Sequence, residues 1–162
     1  MRKMAILLLA ALTAGAENSS RESRASDRGA KTAVADTIIA LERAALDRWG
    51  RGDPTGYVET YARDVSYFDP FAAKRVDGID SIKAMLEPIT GKVHIDSYEM
   101  LNPRVQPAGD VAVLSFNLVS HVKNPDGSPR TVRWNSTEVY RRIGGRWRII
   151  HNHWSFTKPE LK

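Results

Sequence analysis

Apolar and polar positions alternate with a helical period in the middle of the chain. From residue 34 onwards, apolar side chains recur every three or four residues, at Val34, Ile38, Leu41, Ala45 and Trp49. This spacing places them on one face and predicts an amphipathic helix. Gly50 and Gly52 follow the last of these residues. We expect the helix to end there, because glycine commonly ends helices.

Two shorter helices and one strand are predicted next. Asp53 followed by Pro54 is typical of a helix start, because the carboxylate caps free amides and proline sits where no donor is needed. The short helix that follows is expected to carry Tyr57 and Tyr61. A strand over 65–68 and a third short helix complete this part of the chain.

The pattern from residue 93 to residue 156 is that of strands. Four alternating segments are separated by short sequences rich in Gly, Pro, Asn and Asp, which are hairpin signals. The predicted strands cover approximately 93–105, 111–122, 131–142 and 146–156. Helices followed by an antiparallel meander indicate an α+β domain. We therefore expect a cone-shaped half-barrel, with a curved antiparallel sheet wrapped around the N-terminal helix.

Alternation along each strand assigns side chains to two faces of the sheet. The even-numbered face, expected to point into the cone, includes Phe116, Leu118, Trp134, Glu138, Asn152 and Trp154. The odd-numbered face, expected to point outwards, includes Val113, Asn117, Thr137, Val139, Trp147, Ile149, His151 and His153. A sheet that is apolar on both faces either packs between a helix and a second sheet or has a pocket on one face and a partner on the other. We expect the second arrangement, in a homodimer.

Composition narrows the class of protein. The 162 residues are 42% hydrophobic and 27% charged, which is enough apolar material for one ordinary folded domain. The formal net charge of +5 is too small to indicate nucleic-acid binding. The chain has no cysteine, so disulfides, thiolate metal sites and cysteine nucleophiles are excluded. Any chemistry must therefore use oxygen and nitrogen groups.

The first residues have the pattern of a signal peptide. Arg2 and Lys3 precede an apolar stretch, and small residues end it at Ala14-Gly15-Ala16. The stretch is about half of the ~20 residues that a bilayer span needs. We expect cleavage after Ala16, export to a secreted or periplasmic location, and no membrane association afterwards.

The division of the chain follows from this leader. Residues 17–31 contain no large apolar side chain, so nothing in them offsets the entropy cost of ordering. We expect a signal peptide over 1–16, a flexible linker over 17–31 and one folded domain over 32–158.

Short sequence pieces spread over the folded domain resemble a known family. The pieces are Gly52-Asp53 with Tyr57, Phe68-Asp69-Pro70, Gly78, Leu101-Asn102-Pro103, Gly109-Asp110, Gly127 with Pro129-Arg130, and Gly145-x-Trp147-x-Ile149-x-His151-x-His153. In their order and spacing they resemble the SnoaL-like branch of the nuclear transport factor 2 superfamily. Within it, the chain is most similar to the association domain of calcium/calmodulin-dependent protein kinase II. The resemblance implies a cone-shaped α+β barrel with a deep pocket, usually in a dimer or larger assembly.

The resemblance also indicates which residues meet a ligand. Arginines line the pocket of the kinase-like branch and bind small acids, whereas this chain has Leu118, Glu138 and Trp154 at the corresponding positions. A neutral, largely apolar small molecule therefore fits better than an acid. Tyr57 and Asp69 match retained pocket positions. We expect the ligand to contact Tyr57, Leu118, Trp134, Asn152 and Trp154.

Asp69 and Glu138 are the candidate catalytic residues. A carboxylate buried among aromatic rings has its pKa raised by desolvation, so one of the two could act as an acid and the other as a base. There is a structural alternative for each. Asp69 before Pro70 could bond nearby amides, and Glu138 could pair with Arg148 on the adjacent strand.

Two other groups of residues have a plain interpretation beside a functional one. His151 and His153 share a strand face and could hold a metal, but no third ligand is evident and support of an interface is favoured. Four arginines surround the last hairpin and suggest a basic patch for nucleic acid, but solvated charge is common at an exposed hairpin tip and is favoured here: Arg141, Arg142, Arg146 and Arg148. We expect no metal, no cofactor and no nucleic-acid partner.

These observations lead to one interpretation and one alternative. The chain is expected to be an exported domain that binds a small, largely apolar molecule in its cone. Acid–base activity of the isomerase, dehydratase or hydrolase type is possible in such a pocket, and whether the protein is an enzyme is left open. The alternative is a non-catalytic module that assembles with copies of itself.

Overall fold

The computed structural model describes residues 5–158, and the side chains of residues 21–158. It divides into two units, the first ending at Val34 and the second beginning at Ala35. The first four residues of the predicted signal peptide lie outside the described part of the chain. Within the described part, no helix is both long and apolar enough to cross a membrane.

The first helix, α1, covers Ala5–Gly50 and belongs to both units. It includes residues 17–31, for which the sequence predicted an irregular conformation. The side chains of residues 21–31 are exposed, and Lys31 pairs with Asp27 one turn away at 2.6 Å. Alanine, arginine and glutamate favour helix without any burial, which accounts for the difference. Cleavage after Ala16 and a linker role for residues 17–31 stay predictions.

The second unit contains the remaining helices and a six-stranded sheet. The helices are α2 at Thr55–Thr60 and α3 at Ile79–Leu86, and a 3₁₀ turn follows at Glu87–Ile89. The strands are β1 at Tyr61–Phe68, β2 at Val76–Asp77, β3 at Ser97–Ala108, β4 at Val111–Lys123, β5 at Pro129–Ile143 and β6 at Arg146–Phe156. Tyr61 is thus the first residue of a strand, and not part of the preceding helix as predicted.

The strand order in the sheet is β2-β1-β6-β5-β4-β3. The four long strands β3 to β6 form the antiparallel meander that the hairpin signals predicted. Strand β1 lies beside β6 and runs parallel to it, so the sheet is not antiparallel throughout. Strands β2 and β3 lie at the two edges and are not paired with each other, so the curved sheet does not close. The predicted α+β half-barrel is confirmed.

A β-bulge in β6 changes which side chains face inwards. Tyr140 pairs with Ile149, whereas the preceding residue Val139 pairs with His151, so Ile150 is an extra residue. Side chains of β6 before the bulge therefore alternate in the opposite phase. Trp147 and Ile149 are buried, at 8% and 0% exposure, so their predicted outward orientation was wrong.

The buried face of α1 is centred on a glutamate. Ile38, Glu42, Ala45 and Leu46 are buried, whereas Leu41 is half-buried. The helical period was predicted correctly, but the apolar positions alone placed the centre of the face one residue too early. A carboxyl group with 0% exposure therefore lies in the core.

Candidate functional site

A pocket of about 100 Å³ opens between the helices and the inner face of the sheet. Its walls come from α1, α2, α3, the segment after β1, the segment before β3, and strands β1, β4, β5 and β6. The lining residues are Leu46, Trp49, Tyr57, Tyr61, Tyr67, Asp69, Pro70, Phe71, Leu86, Ile95, Leu118, Trp134, Asn152 and Trp154.

One wall of the pocket is built from interlocked aromatic rings. Trp134 stacks on Phe156 at 4.6 Å and meets Trp154 edge-on at 6.2 Å between ring centroids. Its indole N–H donates to Ser120 Oγ at 2.9 Å, which fixes the ring orientation. Phe71 packs edge-on against Trp134 but is 78% exposed. The Phe71 ring therefore forms the rim of the pocket.

Asp69 lies in this pocket and also shapes the turn after β1. Its Oδ1 accepts a hydrogen bond from the Phe71 backbone N–H at 2.8 Å, which is the structural role that the sequence left open for it. Burial raises the pKa of Tyr67 well above its usual range, and the neighbouring Tyr61 and Asp69 add to the effect. Tyr67 is therefore neutral beside Asp69.

Asn152 supplies an amide to the same pocket. Its Nδ2 donates to the Tyr61 hydroxyl at 2.8 Å. Its Oδ1 is buried and has no hydrogen-bond partner among the described residues. An unpartnered buried carbonyl is costly, so this amide group lowers the stability of the domain unless it gains a donor.

Behind the pocket, two carboxyl groups meet in the core. The Tyr57 hydroxyl, on a ring that lines the pocket, donates to Glu42 Oε1 at 2.7 Å. The Tyr140 hydroxyl lies 3.2 Å from Glu42 Oε2 and 2.9 Å from Glu138 Oε2. Tyr140 thus bridges a glutamate of α1 and a glutamate of β5. We call Glu42, Glu138, Tyr57 and Tyr140 the acid cluster.

Burial controls the charge of the acid cluster. It raises the pKa of both glutamates, and that of Glu138 is raised well above its usual range, with the charge of Glu42 adding to the effect. Hydrogen bonds from Glu138, Tyr57 and Tyr140 oppose the rise at Glu42. Two neighbouring carboxyls do not readily ionise together. Burial and the neighbouring carboxyl therefore both favour the protonated form of Glu138.

Six of the seven predicted site residues line the pocket, namely Tyr57, Asp69, Leu118, Trp134, Asn152 and Trp154. Glu138 is not among the lining residues and has 0% exposure. The predicted alternative of a Glu138–Arg148 pair is not formed, because Arg148 donates to the Glu59 backbone carbonyl. The roles of all seven in binding or catalysis stay predictions.

Sequence reasoning missed four residues of this region: Glu42, Tyr61, Tyr67 and Tyr140. Glu42 could have been found, because it lies four residues after Ile38 and four before Leu46 and so shares their helix face. Tyr140 is even-numbered, as Glu138 is, and so lies on the same face of β5. Alternation alone does not distinguish it from the other residues of that face.

The outer face of the sheet carries the two histidines of β6. Ser66 Oγ lies 2.9 Å from His151 Nδ1, and the Phe68 ring contacts both His151 and His153. Burial lowers the pKa of His151, and His153 and Arg75 lower it further. Within the described residues, no group of three or more His, Asp or Glu could hold a metal ion.

Comparison of the structure with solved structures gives close matches. A candidate ketosteroid isomerase from Parabacteroides distasonis is 37% identical, with a TM-score of 0.67, and the match covers 76% of this chain and 87% of that one. A protein of the nuclear transport factor 2-like type from Pseudomonas putida is 28% identical, with a TM-score of 0.66, over 81% and 93% of the two chains. The association domain of C. elegans calcium/calmodulin-dependent protein kinase II shares the fold, with a TM-score of 0.68 at 22% identity over 78% and 98%.

Sequence comparison gives the same family. The delta subunit of rabbit calcium/calmodulin-dependent protein kinase type II is 26% identical over 119 residues, which is 72% of this chain and 22% of that protein. This chain therefore spans about a fifth of the length of that relative. The model of the calcium/calmodulin dependent protein kinase II association domain family matches residues 35–158. The resemblance predicted from the sequence is confirmed, and the chain belongs to this family.

Proposed function

We propose that this domain binds a small, largely apolar molecule in the pocket. The observation that carries the proposal is the lining itself, where six aromatic side chains besides Phe71 surround two polar groups, Asp69 and Asn152. Ligand sites are commonly apolar clefts with a few placed polar groups that fix orientation.

The size of the pocket limits the ligand. An enclosed cavity of about 150 Å³ holds one benzene molecule, whereas this pocket measures about 100 Å³. A short chain, or a single ring that extends beyond the rim, matches this volume. A steroid is much larger than the pocket. The proposal therefore does not extend the ketosteroid description of the Parabacteroides relative to this chain.

Acid–base chemistry in this pocket would take place at Asp69. Its carboxylate lies on the pocket wall, whereas Glu138 does not line the pocket. Glu138 would act as a positioning residue, through Tyr140, Glu42 and the Tyr57 hydroxyl. An isomerase, dehydratase or hydrolase step would require a ligand proton near Asp69.

Ligand binding is tested by filling the pocket. Leu118→Trp adds an indole to a pocket too small to accept both it and a ligand, so we expect the variant to lose at least tenfold in affinity for fragments that stabilise the wild-type domain in thermal shift assays. Leu101→Trp makes the same substitution at an exposed position of β3 and should bind as the wild type does. Equal loss in both variants, or no stabilising fragment for the wild type, contradicts the proposal.

Export is a further part of the proposal. It rests on the positive, apolar and small-residue segments of residues 1–16. Intact-mass measurement of the protein expressed in a bacterium with its leader should show a mature chain that begins at Glu17. A chain that keeps its first sixteen residues contradicts this part alone.

We also propose that copies of the domain associate through the outer face of the sheet. Val113, Val139 and His151 lie in register across β4, β5 and β6, and Phe68 beside them is 44% exposed. Two relatives of shared fold are an association domain and a hub. Light scattering tests this proposal.

A further inference from the structure

The pocket carries negative charge and no positive charge. Among the described residues that line it, Asp69 is the one with a formal charge, and none is lysine, arginine or histidine. Arg48, on the same helix as Trp49, is engaged by Asp53 at 2.7 Å and Glu59 at 2.8 Å. A charged ligand in this pocket therefore meets a carboxylate.

The hydroxyl groups of two lining tyrosines are engaged by neighbouring side chains. The Tyr57 hydroxyl donates to Glu42 Oε1 at 2.7 Å, and the Tyr61 hydroxyl accepts from Asn152 Nδ2 at 2.8 Å. Burial raises the pKa of both phenols well above their usual range, so both stay neutral and Asp69 is the charged group of the wall.

The aromatic rings of the pocket suit a cation as well as an apolar group. Tyr57 and Tyr61 stack at 6.1 Å between centroids, and Trp134 and Trp154 meet edge-on on another part of the wall. The face of an aromatic ring carries partial negative charge and attracts ammonium groups, most strongly where water is excluded. Aromatic cages of this kind recognise alkylammonium ions.

We propose that the ligand is an organic ammonium ion about the size of a single ring. Its apolar part fills the aromatic pocket, and its charge pairs with the Asp69 carboxylate. The inference rests on the proposed function, because it names the class of ligand that the same pocket takes. It replaces the neutral ligand expected from the sequence, because the lining contains one carboxylate and no cationic side chain.

A series of ligands of one shape tests the charge preference on the wild-type protein. Benzylammonium, benzyl alcohol and benzoate share one ring and differ mainly in charge. Calorimetry at pH 7 and low salt should show benzylammonium binding at least tenfold more tightly than benzyl alcohol, with benzoate weaker than both. Binding of benzyl alcohol as tight as that of benzylammonium overturns the inference and leaves the proposed function standing. Failure of all three to bind overturns both.

A matched pair of variants assigns the preference to Asp69. Asp69→Asn removes the charge but keeps an oxygen for the Phe71 N–H, so it should abolish most of the preference for benzylammonium over benzyl alcohol. Asp126→Asn is the control, because Asp126 Oδ1 accepts from the Ser128 N–H in a turn far from the pocket wall. Undiminished preference in Asp69→Asn contradicts the assigned pairing. Circular dichroism shows whether each variant is folded. If Asp69→Asn does not fold, the ligand series on the wild-type protein decides the inference.

Discussion

A carboxyl group without water around it keeps its proton to a higher pH than one in solution, and two such groups meet in this domain. Burial raises the pKa of Glu42 and Glu138. The folded protein therefore binds more protons than the unfolded chain once the pH exceeds the ordinary glutamate pKa of about 4.3. The stability that the protonated forms of Glu42 and Glu138 contribute is fully present below that pH. It is lost as the pH rises towards the pKa values of the two groups in the folded protein.

The pH dependence of unfolding should reveal this buried pair. The other titratable groups that face it are Tyr57, Tyr61 and Tyr140, whose pKa values burial raises well above their usual range, so they stay neutral. Glu138→Gln removes one ionisable carboxyl while keeping its shape. The variant should be more stable than the wild type by about 1 kcal/mol or more at pH 8, and similar to it at pH 4, because each unit of pKa elevation costs about 1.4 kcal/mol once the group must ionise.

Denaturant unfolding at a series of pH values measures this difference. Glu87→Gln is the matched control, because Glu87 is exposed in the 3₁₀ turn and should change stability by less than 0.5 kcal/mol, as surface substitutions usually do. A Glu138→Gln variant that is less stable than the wild type at pH 8 would show that the charged form of Glu138 supports the fold, which contradicts the raised pKa of this carboxyl.

Single residues of the pocket were predictable where parity or a matching sequence piece marked them. Leu118, Trp134, Asn152 and Trp154 lie on the predicted inner face, and Asp69 lies in one of the matching pieces. Glu138 was also placed on the inner face, but parity does not report depth, and the side chain lies behind the pocket wall. Glu42 was not predicted, because the buried face of the helix was assigned from apolar positions alone.

At the scale of elements, periodicity predicted the helices and the long strands. It did not predict the bulge in β6 or the parallel pairing of β1. The four meander strands were found within a few residues of their ends, because each hairpin turn has its own composition. The bulge at Ile150 could not be seen, since an extra residue leaves an apolar strand apolar and only its pairing with Tyr140 and Val139 shows it. The parallel pairing of β1 with β6 depends on how the sheet curves and leaves no local signal.

For the domain as a whole, the bulge changes which side chains of β6 face each side of the sheet. Before it, Trp147 and Ile149 point inwards and fill the core. After it, Asn152 and Trp154 point into the pocket, while His151 and His153 point outwards beside Phe68. One strand therefore supplies the core, the pocket and the outer face in succession. The proposed ligand binding and the proposed association therefore involve opposite faces of β6, and we expect that one can be removed without the other.

Association is tested by a charge in the middle of the outer face. Val113 lies on β4 opposite Gln106 of β3 and Val139 of β5, so no charged side chain is directly opposite it. In a dimer through this face, Val113→Asp buries an unpaired charge, so its dissociation constant should rise about 100-fold or more. Val113→Thr keeps the shape without the charge and should remain associated. Light scattering over a range of micromolar concentrations distinguishes the outcomes, with the ligand-induced thermal shift as a measure of the intact pocket. A wild-type protein that is monomeric throughout this range contradicts the proposed association, and a dimer unaffected by Val113→Asp places the interface on another surface.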